Sequence, residues 1–308
     1  MSRSRHTARQ GRARGHWPRR LLKIGVAVLL AALLLPVGMG FLLMGGVTHP
    51  LCSPGPSPDR FGLVAEDVLV PARTGVSYRG YFIEGTNGAT IIVPPALGQG
   101  RGGWLHEAAV LARNGYSVLT YDSRQCSGLA THSLGPREVE DVLDAVDYLR
   151  SRGDVDMSRI GAHGFSQAGA TNLFAAAQTD VIRAVVAEGG YVDYWVQTLG
   201  SASSRDLFTR LFAFGSQTGY RVMTGLDAGV LRLVDLIPAL APRRVLLVYG
   251  SFEVTLGGAR QAAALGDHVR LWEVPGATHG SYLATAGEVE FTRQVVGFFD
   301  EALTPPAE

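Results

Sequence analysis

The hydrophobic pattern divides the chain into two unlike parts. From Ile24 to Val47 the run IGVAVLLAALLLPVGMGFLLMGGV has no charged residue in 24 positions. At 1.5 Å rise per residue, a helix of that length crosses a hydrocarbon core of roughly 30 Å. Pro36 and the glycines after it would kink a water-soluble helix, but transmembrane helices tolerate them. From Phe61 onward, short segments alternate in character. AEDVLVPA and SYRGYFIEG have the period-2 spacing of antiparallel strands. ATIIVPP, YSVLTYD, RIGAHGF, IRAVVAEGG, RRVLLVYGS and HVRLWEVPG predict further strands, and WLHEAAVLARNG, EVEDVLDAVDYLRSRG, QAGATNLFAAAQ and GEVEFTRQVVGFFDEAL predict helices. Strands apolar on both faces that alternate with helices imply a parallel sheet covered on each side. The expected fold is a three-layer α/β domain opened by an antiparallel hairpin. Residues 196 to about 241 break the alternation: RDLFTRLFAFGSQTGYRVMTG and DAGVLRLVDLIPAL have helical periodicity with no clear strand. An insertion there, at the C-terminal edge of a parallel sheet, is expected to cap the ligand crevice.

Composition fits one large domain or two small ones, since 308 residues with 46% hydrophobic content are ample for a core. The net charge of +1 conceals an asymmetry. Residues 1–23 hold eight of the 28 basic residues and no acid, so the remainder carries 20 bases against 27 acids. That balance argues against a nucleic-acid-binding body. A basic flank beside an apolar span predicts a cytoplasmic N-terminus and an extracytoplasmic body. A cleaved signal peptide is the competing reading, and PRRLLK hints at a twin-arginine signal. The apolar run, however, exceeds the usual h-region of about 7–15 residues and lacks an A-x-A site. The expected organisation is a basic tail over 1–23, a signal anchor over 24–47, a linker over 48–62 that includes CSPGPSPDR, and the α/β domain over 63–302. Cys52 and Cys126 can pair in an oxidising compartment, but spacing alone does not decide it.

Two stretches compete to carry the chemistry. GQGRGG supplies Gly98, Gly100 and Gly103 after a strand and before a helix, with Asp122 ending the next strand, which is the dinucleotide fingerprint in spacing. Three features oppose it: Pro94 and Pro95 interrupt the tight turn, a hairpin precedes the unit, and an extracytoplasmic body meets little nicotinamide cofactor. No cofactor is therefore expected. The other stretch is RIGAHGFSQAGAT, Arg159–Thr171, which sets Ser166 between a strand and a helix. Gly164-Phe-Ser166-Gln-Ala168 resembles the nucleophile elbow of the α/β-hydrolase family, Gly-x-Ser-x-Gly, with Ala168 where the second glycine belongs and Gly169 following it.

The resemblance implies a serine nucleophile, then an acid after one late strand and a histidine after the next. VLLVYGSFE places Glu253 three residues past Gly250, and LWEVPGATHG places His279 after the last strand, 113 residues beyond Ser166. Asp is commoner than Glu at the acid position, so Asp193 is the second choice, with Asp227, Asp235 and Asp267 behind it. The oxyanion donors implied are the N–H of Gln167 and one from the loop after ATIIV, where many members carry His-Gly. Here that loop reads Pro94-Pro95-Ala96-Leu97-Gly98, and proline has no N–H, which leaves Ala96 or Leu97. YDSRQCSG resembles the family's Asp-x-Arg-Gly-x-Gly turn, with Asp122 and Arg124 expected to brace loops. His6 and His16 fall in the basic arm and His49 at the membrane edge; His106, His132 and His268 read as surface positions, and His163 as a buried, hydrogen-bonded imidazole. No pair has metal-ligand spacing, so no metal is expected.

The resemblance spans about residues 63–302, and HPLCSPGPSPDRFGLVAEDVLV is similar to the opening of bacterial membrane-anchored members. Dienelactone hydrolases, prolyl-oligopeptidase-like enzymes and lipases share the Ser–acid–His set. It implies a serine hydrolase acting on a small-molecule ester or acyl substrate. A peptidase or amidase of the same fold and an inactive anchored binding protein are the rivals, and the sequence does not give the oligomeric state.

Overall fold

The computed structural model describes residues 17–129, 131–201, 203 and 205–304; most of the basic tail, with His6 and His16, lies outside them. The alternating segments build one eight-stranded sheet. Strands β1 (Glu66–Pro71) and β2 (Ser77–Ile83) form the antiparallel hairpin. They are followed by β3 (Thr90–Val93), β4 (Ser117–Tyr121), β5 (Ile160–Phe165), β6 (Ile182–Glu188), β7 (Arg244–Gly250) and β8 (Val269–Val274). The order is β1-β2-β4-β3-β5-β6-β7-β8, antiparallel up to the β2–β4 pair and parallel beyond it. Period-2 apolar strands bury both faces, because neighbouring residues point to opposite sides. Val185, Ala187, Val245 and Leu247 enter one core, while Ala184, Val186, Leu246 and Val248 enter the other.

Helices cover both faces. After α1 (Trp17–Thr48) come α2 (Leu105–Arg113), α3 (Glu138–Arg152), α4 (Gln167–Ala176), α5 (Tyr194–Leu199), α6 (Leu207–Thr224), α7 (Leu256–Ala263), α8 (Tyr282–Ala286), α9 (Glu288–Phe291) and α10 (Gly297–Leu303). The expected closing helix is divided, with a π-helical turn over Thr292–Val296 between α9 and α10. Within the insertion, α6 matches the expected helix. DAGVLRLVDLIPAL does not form one: it holds only 3₁₀ turns at Ala228–Val230 and Ile237–Leu240, and Pro238, which has no N–H, interrupts a continuous helical ladder.

The apolar helix α1 is long and apolar enough to cross a membrane. Its first two-thirds project from the domain with Leu21, Leu29, Leu34 and Leu35 exposed. The last third instead joins the domain. Pro36, Gly40, Met44 and Thr48 recur every four residues as a buried stripe, and Met44 is part of the main core. That stripe lies on α6, where glycines permit close backbone approach: a Cβ on Gly40 would overlap the carbonyl of Phe212, and one on Gly215 that of Val37. Thr48 O accepts the N–H of His132 at 2.8 Å.

The segment expected to be a spacer is docked. Ser53 N–H donates to Gly98 O at 2.8 Å, and Gly100 N–H donates back to Ser53 O at 2.7 Å. Gly102 is needed there, since a Cβ would overlap Pro56 O. The glycine-rich loop thus receives the protein's own chain where a pyrophosphate would lie, and Asp122 accepts Arg101 N–H at 2.9 Å instead of holding a ribose. Cys52 and Cys126 form a disulfide across 74 residues. Removing it by Cys52→Ser should cost on the order of 2–4 kcal/mol, because it restrains the unfolded chain; the urea midpoint of the full-length protein reads the change.

Candidate active site

The β5–α4 junction explains why Ser166 stands apart from the other serines. It has φ 55° and ψ −126°, in a region that non-glycine residues seldom occupy. Its N–H donates to Glu188 O at 2.6 Å, and its carbonyl accepts Gly169 N–H at 3.1 Å. Gly164 lets the helix pass close, since a Cβ there would crowd the backbone of Ala168. The Ala168 methyl is accommodated in full burial, and Gly169 takes the tight contact, against Gly164 O and Ala187.

Loops at the C-terminal ends of β7 and β8 bring the other two residues to this junction. Ser166 Oγ lies 3.1 Å from His279 Nε2, and His279 Nδ1 lies 3.0 Å from Glu253 Oε2. The Glu253 side chain is 3% exposed and the imidazole 47%, so the acid is sequestered while the base faces the cavity. Gly250 N–H and Tyr282 OH each donate to Glu253 Oε1 at 2.7 Å, and Thr255 Oγ1 donates to Oε2 at 3.2 Å. Burial opposes ionisation of Glu253, but the hydrogen bonds from His279, Gly250 N–H and Tyr282 outweigh it and hold its carboxyl below the ordinary value. Burial, then the Glu253 charge, pushes the Tyr282 hydroxyl well up, keeping it a donor. Phe165 backs the imidazole, with ring centroids 4.7 Å apart, and is itself stacked on Trp104 at 3.9 Å.

Ser166, His279 and Glu253 line a cavity of about 520 Å³ together with Gln167 and Leu97. Among the described residues no hydrogen bond engages the N–H of Gln167 or of Leu97. Ala96 is buried and does not line this cavity. Helix α5 covers it through Tyr194 and Thr198. The second-choice acids serve elsewhere: Asp193 caps α5 and pairs with Arg232, Asp227 caps a 3₁₀ turn, and Asp235 also pairs with Arg232. Arg124 braces its loop through Asp141 at 2.8 Å.

Sequence reasoning missed several neighbours. Tyr282 gave no signal because its partner lies 29 residues away. His132, expected at the surface, is 2% exposed, with Nδ1 accepting Leu134 N–H at 2.9 Å. His106 and His268 are half-buried, the latter 2.9 Å from Ile237 O. Glu107, His163 and Glu188, from three separate elements, form a fully buried cluster of groups able to ligate a metal. His163 Nε2 lies 2.9 Å from Glu188 Oε1. Burial and then the Glu188 charge push the Glu107 carboxyl well up, which favours its neutral form. Among the described residues, both Glu107 oxygens, His163 Nδ1 and Glu188 Oε2 are buried there without a hydrogen-bond partner.

Residues 105–226 match the prolyl oligopeptidase family. Human dipeptidyl peptidase 8 is 34% identical over 95 residues, 28% of this chain and 10% of its own length. A thiohydrolase of Aspergillus aculeatus is 35% identical over 83 residues, 26% of each chain. The chain thus covers a tenth to about a quarter of these relatives. Among solved structures, an esterase of Pyrococcus furiosus superposes with a TM-score of 0.64 at 18% identity, over 84% of this chain and 98% of that one.

Because Glu253 ionises below its ordinary value when folded, it adds stability above roughly pH 4.3 that is lost as pH falls through the folded value. Glu253→Gln should therefore be less stable than wild type near neutrality, by on the order of 1 kcal/mol, with the gap closing in acid; urea titrations across that range measure it. The sheet order and the elbow are those of the α/β-hydrolase fold, and the segment 105–226 within it is similar to the prolyl oligopeptidase family.

Proposed function

We propose that the protein cleaves a carboxylic ester, with Ser166 as nucleophile, His279 as base and Glu253 as the orienting acid. The observation that carries this is the unbroken line from Ser166 Oγ through His279 to the sequestered Glu253 carboxylate. Ser166 Oγ bonds to the acyl carbon while its proton passes to His279 Nε2. The tetrahedral intermediate then expels the alcohol, which takes that proton. Water, deprotonated by the same imidazole, releases the acid and restores the serine. Glu253 holds the tautomer that leaves Nε2 free to accept. The free N–H groups of Gln167 and Leu97 suit the oxyanion, and loss of one such donor costs on the order of 10²-fold or more.

The peptidase reading has the family match in its favour. The cavity supports the ester. Among the described residues lining it, Glu253 is the sole carboxylate and is already engaged by His279, so no acid is left for a substrate ammonium. The departures that motivate an inactive binding protein are each accommodated: Ala168 is packed, Leu97 supplies an N–H in place of the prolines, and Glu253 reaches the imidazole.

For localisation, the reading is a retained anchor with an extracytoplasmic domain. A signal cleavage after Met44 would remove that side chain from the core, and the disulfide suits an oxidising compartment. Full-length protein in detergent should hydrolyse p-nitrophenyl butyrate and take up a fluorophosphonate probe. Ser166→Ala should lose labelling and at least about 10³-fold in rate; labelling that persists in the variant refutes the assignment.

A further inference from the structure

We infer that the substrate is a membrane-borne ester with a long hydrocarbon chain, and that the last turn of α1 forms one wall of its acyl site. This rests on the ester-hydrolase reading and on α1 as a retained anchor. Val47, on that last turn, lines the same cavity as Ser166. One turn earlier Leu43 is 51% exposed, and Met39 and Leu42 are exposed with it. At 1.5 Å per residue, Leu43 and Val47 are about 6 Å apart along the helix. The outward apolar surface of the anchor and the wall of the catalytic cavity are therefore about one helical turn apart.

The cap extends the same surface. While Gly215, Ser216 and Gly219 of α6 are buried, its Phe208 and Val222 stay exposed. Apolar area in water costs about 25 cal/mol per Å². A surface continuous with a membrane-crossing helix is covered by what covers that helix, the bilayer. The cavity rim fits this, since Phe252 and Val254 line it while 73% and 88% exposed. No spacer separates membrane from site: Thr48 O is bonded to His132, and the following segment is pinned on the glycine-rich loop. An ester whose carbonyl rests near the lipid headgroups reaches Ser166 by a short displacement, its chain passing from hydrocarbon into a cavity walled by Val47, Leu97 and Leu134. A short, water-soluble ester leaves this surface unused.

The test uses full-length protein in phosphatidylcholine vesicles with p-nitrophenyl acetate, butyrate, laurate and palmitate. Wild type should favour laurate over butyrate in kcat/KM by at least about tenfold, since each buried methylene in such a pocket is worth that order of discrimination. Val47→Trp, which shortens the acyl site, should lower the laurate-to-butyrate ratio about tenfold or more, and Val47→Ile should keep it. Phe208→Glu with Val222→Glu, remote from the catalytic residues, should lower laurate hydrolysis several-fold and leave butyrate within about twofold. A wild type that cleaves butyrate but gains nothing with laurate, or a ratio unmoved by Val47→Trp in folded protein, overturns this inference alone. A wild type inert to every ester overturns the hydrolase reading with it.

Discussion

The site depends on one backbone constraint, the positive φ of Ser166. Holding a side chain there costs on the order of 1–3 kcal/mol, and the surrounding structure supplies the compensation. The N–H of Ser166 is spent on β6 and its carbonyl on the first turn of α4. The sharp turn sends the hydroxyl out of the sheet edge and leaves the next N–H, that of Gln167, at the start of a helix. Because β6, β7 and β8 are parallel neighbours of β5 in order, the loops that follow them open at the same edge. Glu253 and His279 can then meet a serine from which they are far removed in sequence.

Much of this was legible in the chain. The strands announce themselves as apolar runs of the right length, and the elbow as glycine, serine and small residues at a strand-to-helix change. Glu253 and His279 follow from chain order once the elbow is granted. What stayed hidden has no local pattern. Helix α7, LGGARQAA, carries two glycines and weak periodicity, so packing on β7 and β8 makes it a helix rather than its own propensity. Tyr282 and the Glu107–His163–Glu188 cluster exist only where separate elements converge. The glycines of α6 take on meaning beside α1, and neither helix names the other in its sequence.

The glycine-rich loop shows how a motif can be right in spacing and wrong in purpose. Gly98, Gly100 and Gly102 free backbone space before a helix, as a phosphate site would. The occupant is the segment after α1, hydrogen-bonded in both directions like a short strand. The physical need is the same, close approach of a group to bare backbone, and only the three-dimensional neighbour says which group it is.

That docked segment also fixes posture. An enzyme on a slack tether samples a hemisphere of orientations above its membrane, and its mouth spends most of its time pointing elsewhere. Here the helix enters the core directly, and a covalent sulfur bridge holds the chain that follows it, so for a chain anchored through α1 the tilt and height of the catalytic opening are those of the helix itself. For a membrane-borne ester, the substrate inferred above, encounter would then be a search in two dimensions, governed by lateral diffusion within a single leaflet.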